Sequence, residues 1–531
     1  MRLTSLLLGV SLTALAVPAS AQTTTTRTGT STPVTVQTAP RTATPALAPA
    51  PGVRPTTTLR DALVQTYNSN PDLAGERANQ RANDENVPIA RSRGLPGASA
   101  TGSANTSIYD SDANLISATR QARLGINLSQ PIYSGGAVRN SVRAAETRVE
   151  AGQANLRGTE ADVFTQAVTV YVDVLRDEAI VRLNQQNVRV LGVNLQATRD
   201  RFEVGDLTRT DVAQSEARLA LAEGQLRTAE ARLIGSRESY IRIVGSPPGV
   251  LDAPPALPNL PDDVMTAEQT ALANNPFLEA AQLGRDATRY DVSVARASRL
   301  PTLSVGVGGN YYNYLGSIPA AAAAQGASGS GESATFGAEL TLPLFQGGRP
   351  AAQVRQAQAR QAAAIEQVTL TERGVIAQAR STYASYQGAL RVIESSRSAV
   401  QANQLSLEGV RAENSVGTRT ILDILNAEQE LLNSQVNYVT AERDAYVAGF
   451  SLLASMGRAE AKDLGLDGGP LYDPAANYER VRGRWSDWND DPKPVGTSTS
   501  TAGTPAQGAM VTAAPADPLL QRSVDTTPRN P

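Results

Sequence analysis

The sequence predicts an α+β membrane protein in which very long helices are joined to a few membrane-crossing strands. Three observations predict this class. The first residues have the pattern of an export signal, and the body of the chain is an internal repeat. Each copy of the repeat contains two alternating strand segments followed by a helical pattern of unusual length.

The composition excludes many kinds of function. The 531-residue chain has a net charge of −3 and contains no Cys and no His, so it has no thiol nucleophile, imidazole base, disulfide or ordinary zinc site. Neither lysine, Lys462 or Lys493, belongs to a phosphate-binding loop, and the acidic balance does not favour nucleic acid. We therefore expect no enzyme activity, cofactor or metal. A carboxylate enzyme stays an alternative, although no acidic pair occurs in a pocket-like context.

Both ends of the chain are predicted to lie outside the folded body. Residues 1–21 are predicted to be a secretory signal peptide, because Arg2 is followed by an apolar run and by the cleavage site Ala19-Ser20-Ala21. No later stretch has about 18 consecutive apolar residues, so no transmembrane helix is expected. The Thr-, Pro- and Ala-rich segments 22–57 and 490–531 are predicted to be disordered.

The folded body is predicted to consist of two copies, at 58–250 and 251–458, and a C-terminal segment at 459–489. Asn70-Pro71 recurs 205 residues later, whereas Gly135-Gly136 recurs 212 residues later. Later landmarks keep the offset of 212 without a gap. Leu95-Pro96 still recurs at the smaller offset and Pro131 already at the larger one, so the seven extra residues of the second copy lie between Leu300-Pro301 and Pro343, where a loop tip is expected.

Each copy is predicted to begin with a helix, at 59–93 and 265–299, and to continue with two strands, at about 96–132 and 301–345. Apolar residues in the strand segments alternate with small polar ones, as between Leu124 and Leu128. This alternation gives one apolar face and one wet face. Segments of about ten residues also fit strands that cross a bilayer in a barrel.

Glycines mark the predicted turns on both sides of a long helix. The turns from strand to helix are expected at Gly135, Gly136, Gly347 and Gly348. Uninterrupted helical patterns follow at 138–202 and 351–414, with apolar residues that repeat every seven positions, as in coiled-coil-like packing. Gly205 and Gly417 are then predicted to reverse the chain at the helical tips, and a second heptad helix follows each of them.

The lengths of these elements predict an assembly. A helix of about 65 residues is about 100 Å long, far longer than a globular core requires. The shorter helices of a copy add up to about the same length, so each chain offers four helical staves and four strands. Four strands cannot close a membrane barrel, and open edges in lipid leave backbone groups unpaired. Three chains would give twelve strands, although two or four chains also fit.

Several motifs carry a family resemblance that covers residues 58–488. They are Leu-Arg-Asp-Ala-Leu with Asn-Ser-Asn-Pro-Asp-Leu within 59–73, Gln-Pro-Ile-Tyr-Ser-Gly-Gly at 130–136, Val-Gly-Asp-Leu-Thr-Arg-Thr-Asp-Val at 204–212, Leu-Pro-Leu-Phe-Gln-Gly-Gly-Arg at 342–349 and Val-Gly-Thr-Arg-Thr-Ile-Leu-Asp-Ile-Leu at 416–425. Their order, duplication and spacing resemble the TolC family of outer-membrane efflux ducts. The closing Leu-Tyr-Asp-Pro and Tyr-Glu-Arg-Val-Arg-Gly-Arg-Trp within 471–485, and the missing lipidation Cys, are similar to members that serve type I secretion.

This resemblance implies a homotrimer in the outer membrane, with a twelve-stranded barrel that continues as a periplasmic α-barrel. It also implies docking to a membrane-fusion adaptor and to an inner-membrane ABC transporter or other pump, with outer-membrane lipid around the barrel. The expected function is export, with type I protein secretion preferred to a duct for drugs or small molecules. A periplasmic coiled-coil adaptor without a pore is a third interpretation, but it would not need lipid-facing strands.

The resemblance also implies a gate at the helical tips. It places an Asp–Arg contact at Asp211 and Arg419, and an acidic ring at Asp423. Converging carboxylates from three chains would raise one another's pKa and favour cations. Asn414 and Asn426 depart from the family pattern at a gate tyrosine and at a second acidic ring. The alternative interpretation is that both aspartates only stabilise helix starts.

Aromatic residues give two further expectations. The tyrosines within 311–314 are candidates for a membrane-interface belt. Tyr472, Trp485 and Trp488 are expected to anchor the C-terminal segment around the middle of the helical tunnel.

Overall fold

The computed structural model describes residues 56–108, 118–326, 328–466, 471–511 and 517–520. The predicted signal peptide, and the predicted disordered linker up to residue 55, lie outside the described residues.

The elements follow the order that the repeat predicts. In the first half of the chain they are β1 (Thr56–Thr57), α1 (Leu59–Ser69), α2 (Pro71–Asp84), α3 (Asn86–Ser92), β2 (Gly97–Thr106), β3 (Arg120–Ser134), α4 (Ala137–Glu203), α5 (Arg209–Val244) and β4 (Val250–Leu251). In the second half they are α6 (Val264–Asn274), α7 (Pro276–Ala297), β5 (Thr302–Asn313), α8 (Ala320–Ala324), β6 (Ser330–Thr341), α9 (Arg349–Ser415) and α10 (Ile421–Ser455). The C-terminal segment adds α11 (Pro474–Val481) and a 3-10 turn at Pro518–Leu520.

The first predicted helix of each copy is broken, which corrects the sequence prediction. Asn70 is extended between α1 and α2, and its side-chain oxygen accepts from two backbone N–H groups of α2, at 2.9 and 3.2 Å. Pro71 then begins α2, where its missing N–H costs nothing. The same Asn-Pro pair separates α6 from α7, and Glu85 separates α2 from α3.

The long helices α4 and α9 confirm the predicted pattern, and each contains 67 residues. At 1.5 Å per residue, each is about 100 Å long. The shorter helices pack along them, α1, α2, α3 and α5 on α4, and α6, α7 and α10 on α9. Within the part of the chain that the structure describes, no helix is long and apolar enough to cross a membrane.

The two copies meet side by side through α4. In the half that leads into the strands, α7 packs against both α4 and α9, and in the other half α10 packs against both. Consequently α4 has neighbours on both flanks, whereas its repeat partner α9 has them on one flank. Burial reflects this difference, because 26 residues of α4 are buried but only eight of α9. The large apolar residues that α9 leaves exposed are Ile365, Leu370, Leu390, Val392 and Leu405.

The four longer strands form one antiparallel sheet in the order β2-β3-β5-β6. Directly opposed residues share a face, so the register separates two faces. The apolar face carries Ala98, Ala100, Leu124, Ile126, Leu128, Val305, Val307, Phe336, Ala338 and Leu340. The polar face carries Ser99, Thr101, Asn127, Ser129, Ser304, Asn310, Thr335 and Glu339. This separation confirms the predicted alternation.

Both edges of this sheet are open in the single chain. Among the described residues, β2 pairs only with β3, and β6 pairs only with β5. β2 leads away from the helices and β6 returns toward them. The β6 strand of one chain and the β2 strand of a second chain therefore run in opposite directions, as an antiparallel pair requires. Unpaired backbone groups in lipid cost several kcal/mol each, so a sheet in a membrane needs partners at both edges.

A small parallel sheet corrects the predicted boundary of the N-terminal linker. Thr56 and Thr57 form β1, which pairs with β4, although the linker is predicted to extend to residue 57. The hydroxyl of Tyr171, in the middle of α4, lies 2.9 Å from the carbonyl oxygen of Thr57 and 2.8 Å from that of Asp252. Composition missed this strand because two residues are too few to show a pattern.

The predicted disordered tail beyond residue 490 lies in part against the helices, which corrects that prediction. Arg237 of α5 donates to the backbone carbonyl of Gly508, and Gln435 of α10 donates to that of Leu519 at 2.8 Å. Leu520 is buried in an apolar cluster with residues of α9 and α10. Composition could not predict this docking, because most of its bonds go to backbone carbonyls, which every sequence provides.

We predict that Ile126→Arg destabilises the folded protein by about 2–4 kcal/mol, because it places a charge on the apolar face of the sheet near the centre of the strands. The matched control is Asn127→Arg on the opposite face, with an expected effect within about 0.5 kcal/mol. Urea titration of protein folded into lipid vesicles, followed by circular dichroism, measures both. Equal destabilisation by the two variants would contradict lipid contact at the apolar face.

Candidate functional site

The predicted reversals at Gly205 and Gly417 are glycine-capped helix ends. Gly205 has a φ of +84° and Gly417 a φ of +81°, which glycine adopts without steric cost. In each case the N–H after the glycine donates to the carbonyl five positions earlier, at 2.9 Å after α4 and at 3.0 Å after α9. This is the Schellman arrangement, so the glycine itself builds the tip of each hairpin.

The helices that leave the tips begin with matching capping boxes. Thr208 is the N-cap of α5 and Thr420 is the N-cap of α10. The Asp211 carboxylate accepts from the backbone N–H of Thr208 at 2.9 Å and from its hydroxyl at 2.7 Å. The Asp423 carboxylate accepts from Thr420 in the same way, at 2.9 and 2.8 Å. Both predicted gate aspartates are therefore helix-start residues.

Hydrogen bonding lowers the pKa of both aspartates. The hydroxyl and then the backbone N–H of Thr208 hold the pKa of Asp211 below its usual value. For Asp423 the backbone N–H of Thr420 is the largest cause of the lowered pKa, followed by the hydroxyl, with a smaller contribution from Arg419. Within one chain, the direction is opposite to the increase in pKa expected for a ring of converging carboxylates.

Arg419 lies in the turn between α9 and α10 and bonds within its own hairpin. Its Nε donates to Glu413 at 2.7 Å, and its guanidinium is 4.0 Å from the carboxylate of Asp423. Sequence reasoning missed Glu413. No ion pair among the described residues joins Arg419 to Asp211, so the single chain brings Arg419 to Asp423 but not to Asp211.

The two asparagines that depart from the family pattern both make hydrogen bonds. Asn414 donates to the backbone carbonyl of Arg419 at 2.7 Å, which helps to fix the turn. Asn426 accepts from the guanidinium of Arg218 at 2.7 Å, and this bond ties α10 to α5. Arg218 and Asn426 are 208 residues apart, so no local pattern could reveal that they meet.

Each hairpin also carries an Arg–Glu pair between its two helices at the same position of the repeat. Arg199 donates to Glu216 at 2.6 Å in the first hairpin, and Arg411 pairs with Glu428 in the second. The equal spacing of 17 residues within each pair, at the repeat offset, is the signal that could have identified them. The Glu216 side chain is 49% exposed, whereas that of Glu428 is 1% exposed, because α10 lies between α4 and α9.

The strand-to-helix turns contain the predicted glycines, all with positive φ. The values are +62° and +82° at Gly135 and Gly136, and +58° and +80° at Gly347 and Gly348. A Cβ on Gly135 would lie 2.9 Å from the carbonyl oxygen of Ala297, so close approach also requires glycine there. A Cβ on Gly347 would meet nothing within 4 Å among the described residues, because this turn faces the open flank of the second copy.

Comparison with known proteins gives a family match over most of the folded body. A family model described as outer membrane efflux protein matches residues 62–246 and 268–458. The outer membrane efflux protein BepC of Brucella suis is 34% identical over 81% of this chain and 91% of its own length. The outer membrane protein TolC of Escherichia coli is 26% identical over 84% and 94% of the two chains. The alkaline protease secretion protein AprF of Pseudomonas aeruginosa is 26% identical over 64% and 70%.

A solved structure has the same fold. The CmeC outer membrane channel of Campylobacter jejuni matches with a TM-score of 0.66 and 17% identity, over 80% of this chain and 89% of that chain. This likeness concerns the fold alone, and it confirms the predicted duct-like fold with long helices and barrel strands. The proteins named here are described as efflux, secretion, outer membrane or channel proteins, and none is described as an enzyme.

We predict that Arg411→Ala destabilises the protein by about 2 kcal/mol or more, because it removes a guanidinium that pairs with a deeply buried carboxylate. The matched control is Arg199→Ala, the repeat-related pair at the exposed edge, with an expected cost under about 1 kcal/mol. Thermal unfolding in detergent, followed by circular dichroism, compares the two. A larger loss for Arg199→Ala would contradict the assigned difference in burial.

Proposed function

This chain belongs to the outer membrane efflux protein family, and from that membership we propose that it is the trimeric outer-membrane channel of a tripartite export system. Like its relatives, it lies in the outer membrane and extends into the periplasm. In the proposed system, a periplasmic membrane-fusion adaptor connects the channel to an inner-membrane ABC transporter or other pump. The channel provides a path for the substrate and catalyses no reaction.

The observation that carries the proposal is the open flank of the second copy. α9 exposes large apolar residues such as Leu370, whose repeat position in α4 is the buried Gly158, and among the described residues the sheet has two unpaired edges. Identical chains arranged in a ring would cover the open flank of α9 and pair the edges of the sheet through one kind of contact. Three copies give twelve strands, an even number within the range of bacterial barrels.

We further propose that the exported substrate is a protein, delivered by a type I secretion system. Two observations support this class of substrate. The closing motif within 471–485 is similar to that of secretion members, and one relative is described as an alkaline protease secretion protein. The description of BepC as an efflux protein favours the second candidate, a duct for drugs or other small molecules.

Deletion of the gene in its host is expected to remove one or more proteins from the culture medium, because a type I substrate has no other route across the outer membrane. The measurement is mass spectrometry of the medium, together with growth on dyes, detergents and antibiotics. Complementation with the wild-type gene is the control. Normal secretion with increased drug sensitivity would overturn the protein-secretion proposal in favour of efflux.

We also propose that the helical tips form the periplasmic gate. In this gate Asp211 of one chain contacts Arg419 of a neighbouring chain, and Asp423 of each chain lies near the symmetry axis of the assembly. Within the described residues of one chain, Arg419 pairs with Asp423 and Asp211 bonds to Thr208. A contact between Asp211 and Arg419 would therefore have to join neighbouring chains. The hydrogen bonds from Thr420 hold Asp423 in the charged form, which suits a ring that binds cations. To make this contact between chains, the guanidinium of Arg419 would give up its hydrogen bond with Glu413.

The double variant Asp211→Ala with Arg419→Ala is expected to raise the single-channel conductance in planar bilayers, because it removes an inter-chain contact that holds the tips closed. The matched control is Arg201→Ala with Asp206→Ala, which removes a 2.7 Å ion pair from the turn of the first hairpin. Thr208→Ala separately weakens the α5 cap by about 1 kcal/mol without removing a charge. Conductance that is unchanged, or raised equally by Thr208→Ala, would contradict the gate.

A further inference from the structure

The C-terminal segment rises along the first short helices toward the sheet. Near its start, the N–H of Tyr472 donates to the hydroxyl of Tyr67 in α1 at 2.8 Å. α11 then packs on α2, and the carbonyl of Arg482 accepts from Arg91 in α3 at 3.1 Å. The mostly helical stretch from Tyr67 to Arg91 corresponds to roughly 35 Å at 1.5 Å per residue. The segment therefore runs from the start of α2 almost to the strands.

A short loop of residues 482–491 forms the top of this rise. Asp491 accepts from Arg480 at 2.7 Å and from Arg484 at 3.0 Å, so the two ends of the loop are tied together. These two arginines hold the pKa of Asp491 well below its usual range, which keeps the tie charged at neutral pH. The loop is therefore a closed turn at the strand end of the helices.

The chain then returns to the level at which the segment began. The N–H of Gln507 donates to Glu238 at 3.0 Å, two turns before the end of α5. That end lies beside α1, where the hydroxyl of Ser69 donates to the carbonyl of Val244 at 3.0 Å. The path from α11 to α5 thus includes an excursion toward the sheet and back, which a direct connection would not need.

The loop presents the two tryptophans of the chain to the outside. Trp485 is 82% exposed and Trp488 is 94% exposed, so neither packs against the helices in one chain. This corrects the expectation that they anchor the segment around the middle of the tunnel, since they lie near its strand end. Two large indole rings left in the open are unusual for a water-facing loop and indicate a further contact.

The loop lies next to the start of the sheet. Arg91, which holds the loop, is six residues before β2, and Gln130 of β3 donates to the backbone carbonyl of Gly94 in between, at 2.8 Å. Exposed apolar side chains continue to the helix end of the strands, at Ile132, Leu342, Leu344 and Phe345. The apolar surface of the sheet therefore reaches the level of the loop, and the boundary between lipid and periplasm is expected there.

We propose that the 482–491 loop is a membrane anchor, in which Trp485 and Trp488 enter the headgroup region of the periplasmic leaflet of the outer membrane. Indole rings prefer this region because they combine a large apolar surface with one N–H donor. The guanidinium of Arg482, three residues before Trp485, is half-exposed but pairs with Glu479 at 2.7 Å, so the two rings and not this charge carry the anchor. A lipid surface is favoured over a protein partner because the loop ends where the apolar face of the sheet begins.

The chain itself provides the reporter for the test, because these are its two tryptophans. The full-length protein is reconstituted in vesicles of phosphatidylethanolamine and phosphatidylglycerol, with phosphatidylcholine brominated at shallow or at deep acyl positions. We expect blue-shifted emission that shallow bromines quench more than deep ones, and weak quenching by aqueous acrylamide. Trp485→Phe and Trp488→Phe assign the effect to each ring.

A water-exposed reference comes from Met510→Trp in a chain that also carries Trp485→Phe and Trp488→Phe. Met510 is 77% exposed and lies beside Arg237, far from the sheet. Native tryptophans that behave like this reference, with full acrylamide quenching and none by bromine, would overturn the proposal. Protection from both quenchers would also overturn it, because it would place the rings between subunits. The anchor rests on the outer-membrane location and not on the cargo, and conductance of the same vesicles reports channel assembly separately.

Discussion

Backbone groups at a sheet edge and apolar side chains along a helix flank both need a partner, and one chain supplies neither partner in full. Within the ranges that the structure describes, the sheet has open edges at β2 and β6, and α9 is covered on one flank only. In the first copy of the repeat, α4 is the equivalent of α9 and is covered on both sides. The neighbours of α4 therefore indicate what kind of partner α9 needs on its open flank. The repeat thus fixes the contact between the two copies within a chain, and the same contact is the one proposed between chains.

The sequence contained most of the large-scale architecture because few signals determine it. Heptads without proline predict α4 and α9, alternation predicts the strands, and glycines with positive φ mark the turns. Features that depend on distant partners were not predictable. The bond from Arg218 to Asn426, the docking of Leu520 and the strand at Thr56 depend on residues brought together only by the fold. The Asn-Pro pair is visible in the sequence as a landmark of the repeat, but its effect of dividing the first helix of each copy was not predicted.

The helical tips combine a local role with a proposed collective one. Asp211 and Asp423 complete capping boxes, so each has a structural reason to be present whether or not the channel gates through it. The capping bonds also hold both carboxylates ionised and fixed in direction. A gate assembled from such residues would need no dedicated side chains, because three copies of a helix start already bring charges toward one axis. The departures at Asn414 and Asn426 are accommodated by bonds within the chain.

The proposed duct depends on the claim that identical chains close the open edges of the sheet. The mass of the intact assembly tests this claim most directly. Native mass spectrometry of the protein extracted from outer membranes and released from detergent measures that mass. We expect a particle of three mature chains, because three sheets complete a twelve-stranded barrel and three open α9 flanks are covered in the same ring. A stable particle with the mass of a single chain would contradict this account.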